Sequence, residues 1–312
     1  MRVVFFGTSR FAAAPLAALA ERHEVVACVT RPAKQKGRSL KVLPGYIKSK
    51  AKSLGIPVHQ PQDIKEESFL RLLVSYNPDF FVVVDFGMML PLGLLDMPVF
   101  CSLNIHPSIL PKYRGAAPIN WALIKGEKET GVTVIRMNES LDAGDIVLQR
   151  PVKIGERETS EDLEARLATL GSELLLEAME LIEKGEAEFR KQDEGSVVMA
   201  PKLKKTDGYL DWHQGARSLE NRIRGVLPWP GAYTFLNNKM LKVFRARALE
   251  GEENGMPAGS VIYADSQKGL AVKAGDGLLL VEEVQMEGKK RMDSRAFLRG
   301  RGVKPGTKLG KN

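Results

Sequence analysis

The feature that constrains this chain most is a succession of short apolar runs, "RVVFFG" at 2–7, "HEVVACVT" at 23–30 and "DFFVVV" at 79–84, separated by stretches of helical spacing. Strands rich in Val and Phe, with no polar alternation, must be covered on both faces, and that is the demand of a parallel sheet layered between helices. The helix-like "FAAAPLAALAE" between the first two runs completes a βαβ opening. Helices are predicted at 46–54, 63–76 and 117–125, and strands at 57–59, 101–106, 131–136 and 146–152. A long helix opens at Thr159, where Thr159 and Asp162 form a capping pattern, and Leu163, Leu167, Leu170, Leu174 and Ile182 make one apolar stripe. Residues 1–185 therefore read as one doubly wound α/β domain with a mostly parallel sheet.

Residues 186–207 lose periodicity and mix charge with Gly and Pro, the composition of a linker. From 208 to 312 a short helix at 214–225 precedes five short alternating stretches, at 232–236, 240–248, 259–263, 269–274 and 277–284, which predict a small β-barrel. The basic tail from Asp293 is expected to be partly mobile. Trp229, between Pro228 and Pro230, reads as a packing anchor, with a base-stacking platform as the alternative.

At 312 residues the chain has room for two domains, and no apolar run approaches the roughly 18 to 20 residues of a membrane span. Cys28 and Cys101 lie in apolar strand-like segments without a C-x-x-C pair, which predicts free thiols in a reducing cytoplasm. A strand beginning beside Met1 predicts a chain without a leader peptide. The net charge of +8 is unevenly placed: residues 200–312 hold 21 Lys and Arg against 12 Asp and Glu. That bias suggests a polyanionic partner for the C-terminal third, nucleic acid first, with a solvated basic surface as the plainer reading.

A dinucleotide site is excluded twice. The first turn carries Gly7 alone rather than G-x-G-x-x-G, and the second strand ends in Thr30 and Arg31 rather than an acid. The chemistry gathers instead in "SLNIHPSILPKYRG", residues 102–115. Alternation along a strand puts Asn104 and His106 on one face, roughly 6 to 7 Å apart, and Pro107 stops the strand there, at the carboxyl edge where open α/β sheets bind ligands. Cys101 has the opposite parity and lies about 16 Å along the strand from His106, so the two form no thiol–imidazole pair. Ser108 lacks a nucleophile elbow, and His23, His59 and His213 lie in unrelated segments, so no metal set forms. Alone, Asn104 and His106 read equally as a site or as a satisfied polar strand end. Asp142, in the polar turn "NESLDAGDI", supplies a carboxylate, with a backbone cap as its alternative role. An amide, an imidazole and a carboxylate together suit acyl transfer to an amine.

"SLNIHPSILPKYRGAAPI" with "LDAGDI", "FGTSRFA", "MAPKLKKTDGYLDW" and "GVLPWPGAYT" resembles the methionyl-tRNA formyltransferase family along essentially the whole chain. The first two motifs are shared with other enzymes that use 10-formyltetrahydrofolate. The resemblance implies formyl transfer from that co-substrate to initiator methionyl-tRNA for translation initiation. Asn104, His106 and Asp142 would be catalytic, while Ser108, Ile109, Leu110 and Pro111, with Phe86, Gly87 and Leu90, would border the folate. The loop at 31–41, with Lys36, Arg38 and Lys41, and also Arg114 would touch tRNA, helped by an OB-like C-terminal barrel. It further implies no metal, no membrane and a monomer. Extra residues near Gln35 and Lys36, and Asp85 with Phe86 in place of a small apolar residue and Tyr, depart from the family pattern. The competing functions are a formyltransferase or formyl hydrolase for another acceptor, such as an amino sugar nucleotide or water, and a non-catalytic RNA-binding protein.

Overall fold

The computed structural model describes residues 1–32, 45–249, 255–300 and 303–310. The loop positions Lys36, Arg38 and Lys41 lie outside them. By their contacts the described residues form two units, one of 1–115, 129–153 and 164–200, the other of 116–128, 154–163 and 201–312.

The first unit holds β1 (Arg2–Gly7), α1 (Ala13–Arg22), β2 (Glu24–Val29), α2 (Tyr46–Ser53), β3 (Val58–His59), α3 (Glu67–Ser75), β4 (Phe80–Val84), the short α4 (Leu92–Leu95) and β5 (Cys101–His106). These strands are parallel and ordered β3-β2-β1-β4-β5. Val3 to Phe6 and Phe80 to Val84 are all buried, as strands covered on both faces require. One core layer sets the Phe6 ring edge-on to Phe81, with 5.1 Å between centroids, and to Phe86 at 5.4 Å.

Beyond β5 the direction reverses. After β6 (Lys112–Arg114) and α5 (Pro118–Lys125), β7 (Glu129–Arg136) pairs antiparallel with β5, and β8 (Asp145–Lys153) antiparallel with β7. The turn between β7 and β8 therefore does not issue at the carboxyl edge of the parallel strands, where His106 lies. Arg136, at the end of β7, pairs with Leu103, and its next neighbour along the chain donates from Met137 N to Ser102 O at 2.8 Å. That level is about 10 Å below His106 at the strand rise, so the turn must climb back to reach the imidazole. Gly144 permits the fold-back, because a Cβ there would stand 2.0 Å from the Arg136 carbonyl oxygen.

The long helix α6 (Ser160–Glu183) starts on the predicted cap: Thr159 donates from Oγ1 and N to Asp162 Oδ2 at 2.6 and 3.0 Å. Those hydrogen bonds hold the Asp162 carboxyl below its usual range. Residues 190–200, expected to be linker, are fastened to the first unit. Arg190 and Ile146 exchange backbone hydrogen bonds at 2.7 and 2.9 Å, and β9 (Val198–Met199) pairs parallel with β6. The absence of periodicity was real, but a two-residue strand is too short to show any.

In the second unit, α7 (Ala216–Gly225) packs with an antiparallel sheet ordered β10-β11-β14-β13-β12, built from β10 (Ala232–Leu236), β11 (Lys239–Leu249), β12 (Val261–Asp265), β13 (Gly269–Lys273) and β14 (Leu278–Met286). Its core includes Trp212, Leu219, Ile223, Val243, Val261 and Leu279. The tail departs from expectation: after β15 (Met292–Asp293) the chain forms α8 (Ser294–Arg299), and residues 307–310 bond both edge strands. Val261 N donates to Thr307 O at 2.8 Å and Gly310 N to Phe235 O at 2.9 Å, so the tail closes the sheet between β10 and β12. Leu309 is buried where it bridges. Trp229 is half exposed rather than a buried anchor.

Phe81 is fully buried in the sheet core, and Phe81→Ala should cost about 3 to 5 kcal/mol. A urea titration should show the lowered midpoint.

Candidate active site

His106 ends β5 and is buried. Its Nε2 lies 2.9 Å from the Tyr113 carbonyl oxygen. A carbonyl only accepts, so Nε2 carries the hydrogen and the neutral ring presents Nδ1 as its free lone pair. Nδ1 faces Asp142 Oδ2 at 3.7 Å, beyond hydrogen-bonding distance. The carboxylate is held in place by the Gly115 amide, which donates to the same Oδ2 at 2.8 Å, and Asp142 itself sits at φ +50°. Sequence alternation thus placed two of the three groups, while the third arrives from a turn anchored on the 107–115 loop.

Asn104 lies two residues back on the same face, beside β4, and its Nδ2 donates to the Val83 carbonyl at 3.0 Å. One Nδ2 hydrogen is used there and the second remains a neutral donor. Asn104 Oδ1 is buried without a hydrogen-bond partner among the described residues.

The loop between β5 and β6 is rigid by its own bonds. Ser108 Oγ donates to Lys112 O at 2.6 Å, and Thr133 Oγ1 on β7 donates to Ser108 O at 2.7 Å while accepting from Leu110 N at 3.2 Å. Gln149 Nε2 on β8 adds bonds to Leu110 O at 2.8 Å and to Thr133 Oγ1 at 3.0 Å. Ser108 is fully buried and Leu110 nearly so, whereas Ile109 and Pro111 remain partly open. Tyr113 takes φ +64° and Gly115 φ +123°, where a Cβ on Gly115 would meet the Ala200 carbonyl oxygen at 2.7 Å. That backbone aims the Tyr113 carbonyl at His106 and the Gly115 amide at Asp142.

The β4 side of the expected pocket divides. Phe86 and Leu90 are buried in the sheet core, so their side chains pack against the protein rather than stand open. Gly87, at φ +73°, is exposed, and its carbonyl accepts from Arg31 Nη1 at 3.4 Å. Asp85, the departure from the family pattern, is an exposed turn residue at φ +44°.

Arg114, expected as a tRNA contact, is buried. It donates to both carboxylate oxygens of Glu194, at 3.0 and 2.8 Å, and to Gln192 Oε1 at 3.0 Å. A guanidinium engaged in three bonds inside the protein is not presented to a phosphate. Burial also pushes the Cys101 thiol up to about 11 and Cys28 up to about 12, so neither is a thiolate nucleophile near neutrality. No cluster of three or more His, Cys, Asp or Glu that could hold a metal occurs among the described residues.

Sequence reasoning missed Gln192, Thr133 and Gln149, which touch the site loops. Thr133 and Gln149 face the 107–111 loop from antiparallel strands, and nothing in a single sequence gives that register. Gln192 stood in the presumed linker.

A mixed sheet whose strand end brings together an amide, an imidazole and a carboxylate has the kinds of group that acyl transfer to an amine uses. Comparison with known proteins narrows this. Residues 1–179 match the formyl transferase family and residues 202–302 the formyl transferase C-terminal domain. A methionyl-tRNA formyltransferase of Citrifermentans bemidjiense is 45% identical over 312 residues, covering 100% of this chain and 97% of that protein. One of Syntrophus aciditrophicus is 45% identical over 309 residues, covering 99% and 98%. Among solved structures, HypX from Aquifex aeolicus in complex with tetrahydrofolic acid superposes with a TM-score of 0.64 at 20% identity, over 98% of this chain and 48% of that one. An N-formyltransferase from Helicobacter canadensis, with folinic acid and dTDP-3-aminofucose, gives 0.65 at 16% identity, over 91% and 98%. The chain belongs to the formyl transferase family.

Thr133 is fully buried, and Thr133→Val would leave the Ser108 carbonyl and the Leu110 amide without their shared hydroxyl, a loss of about 1 to 3 kcal/mol. Urea denaturation would measure it; an unchanged midpoint would mean that water replaces the hydroxyl.

Proposed function

We propose that Asn104, His106 and Asp142 carry the chemistry of this chain, which transfers a formyl group from 10-formyltetrahydrofolate to the α-amine of methionyl-tRNA in translation initiation. The observation that carries the reading is the facing pair: His106 Nδ1 and Asp142 Oδ2, from separate segments, stand 3.7 Å apart beside Asn104. Identity of 43–45% over full length with methionyl-tRNA formyltransferases supports this acceptor over the amino sugars acted on by some enzymes of the same fold.

In the reaction the amine nitrogen bonds to the formyl carbon, the bond from that carbon to N10 breaks, one proton leaves the attacking nitrogen and N10 gains one. Charge that builds on the formyl oxygen needs a donor. His106 in its neutral form has none to give, because its only N–H is committed to Tyr113 O. The second Nδ2 hydrogen of Asn104 is the neutral donor for that oxygen, a role worth about 10²- to 10³-fold in rate. Nδ1 of His106 is the free base. With Asp142 beside it, it takes the proton of the attacking nitrogen directly or after the carboxylate does, and the imidazolium then returns a proton to N10. Ser108 to Pro111 border the folate, and the exposed backbone at Gly87 borders it on the β4 side; Phe86 and Leu90 shape it from beneath.

The tRNA reading rests on charge. Arg157, Arg245, Arg247, Lys268 and Arg295, all exposed, line one depression of the second unit with three acids, of which Glu282 and Glu283 are paired with Arg157 and Arg291 and Asp293 accepts from the Arg295 amide. Exposed Arg and Lys of this kind meet phosphates without reading bases. Lys36, Arg38 and Lys41 remain proposed contacts from the 31–41 loop, and Arg114 is withdrawn from that set. The chain works in the cytoplasm, as a monomer, without a metal.

His106→Ala and Asp142→Asn should each lower single-turnover formylation of methionyl-tRNA by about 10²- to 10⁴-fold with tRNA affinity kept. A near-normal rate in either variant removes the assignment. An amino sugar nucleotide and water, run as alternative acceptors, should receive no formyl group. Separately, replacing Arg245, Arg247 and Lys268 with Ala should weaken tRNA binding and reduce the slope of log K against log salt by roughly one for each phosphate no longer neutralised. A slope equal to that of the parent protein would move the interface elsewhere.

A further inference from the structure

The segment that read as a linker holds both loops of the proposed site. Gln192 Nε2 donates to the Asp142 carbonyl and to the Gly144 carbonyl, both at 2.8 Å, spanning the turn that carries the carboxylate. Its Oε1 accepts from Arg114 Nε at 3.0 Å, and Arg114 is clamped by Glu194. Arg114 lies one residue from Tyr113, whose carbonyl fixes His106, and one from Gly115, whose amide holds Asp142. Two residues before Gln192, Arg190 forms the backbone bridge to Ile146, and its guanidinium donates to Gln149 Oε1 at 2.8 Å. Gln149 in turn holds the Leu110 carbonyl.

The two ends of one side chain serve different loops. The amide of Gln192 uses its nitrogen on the carboxylate turn and its oxygen on the histidine loop, so a single planar group sets the spacing between them. The Asp142 turn needs such a brace, since it must fold back by about three residues of strand and has Asp142 itself at φ +50°. Asp142 Oδ2 otherwise depends on the Gly115 amide for its position.

We propose that Gln192 is a positioning residue for formyl transfer, acting through Asp142: its amide locks the carboxylate turn to the Arg114 loop and so fixes the distance between Asp142 and His106. This rests on the reading of Asp142 given above. Gln192 does not touch the reacting atoms. It makes the carboxylate ready before substrate arrives, where a displacement near 1 Å can cost about 10²-fold.

The informative variant is Gln192→Glu. It keeps length, packing and an acceptor for Arg114, but sets a carboxylate oxygen against two carbonyl oxygens, so the turn is released while the Arg114 cluster stays. Gln192→Ala serves as a second variant that introduces no charge. In single-turnover formylation of methionyl-tRNA, Gln192→Glu should be slower by roughly 10- to 100-fold, with tRNA Kd and the folate KM changed less than about threefold. Combined with Asp142→Asn, either Gln192 variant should add little further loss, because both substitutions remove the same function. A purely structural role would give a near-normal rate in the Glu variant, or losses that multiply in the double variants, and either result overturns the proposal. An enzyme insensitive to Asp142→Asn would sink the catalytic assignment and this proposal together. An Asp142-dependent enzyme indifferent to Gln192 would sink this proposal alone.

Discussion

The site depends on one hydrogen bond, from His106 Nε2 to the Tyr113 carbonyl. It settles which ring nitrogen is free. It also ties the end of β5 to a loop whose Gly115 amide holds Asp142. The carbonyl lies in a stretch where Tyr113 and Gly115 both adopt positive φ, which is strained for a tyrosine and is held by the surrounding loop. Remove that bond and the imidazole could turn, leaving the carboxylate beside a nitrogen that already carries hydrogen.

Around it the polar network turns inward. Thr133, Gln149, Gln192 and Arg114 direct their hydrogen bonds to loop carbonyls and to one another. Polar groups taken out of water are costly when unpaired, so pairing the buried Thr133 and Arg114 and the half-buried Gln149 and Gln192 favours one loop conformation over its alternatives. The exception is Asn104, whose Oδ1 has no partner among the described residues. Asn104 is thus half satisfied within otherwise satisfied surroundings.

The reversal at β7 makes this arrangement possible. Had β7 run parallel to β5, its following turn would have emerged at the carboxyl edge directly. Because it runs antiparallel, Thr133 and Gln149 face the 107–111 loop from within the sheet, and the Asp142 turn arrives from the side, braced by residues 190–192. The second unit needs none of this precision. Its basic depression is lined by exposed, long side chains.

The sequence by itself determined the apolar parallel strands, the long capped helix, the barrel strands and the co-facial pair Asn104 and His106, because each is a local matter of periodicity, capping or alternation. It also placed Asp142 in a turn and, through its motifs, the family. Only tertiary structure decided that β7 runs against β5, that Arg114 is clamped inside rather than offered outside, that Phe86 and Leu90 are core, and that residues 190–200 and 307–310 are fastened rather than loose. Those outcomes include pairings between residues 80 positions apart and more, as Arg114 with Glu194 and Lys112 with Val198 are. No local pattern encodes them, since a hydrogen bond across such a separation depends on where the rest of the chain has already been packed.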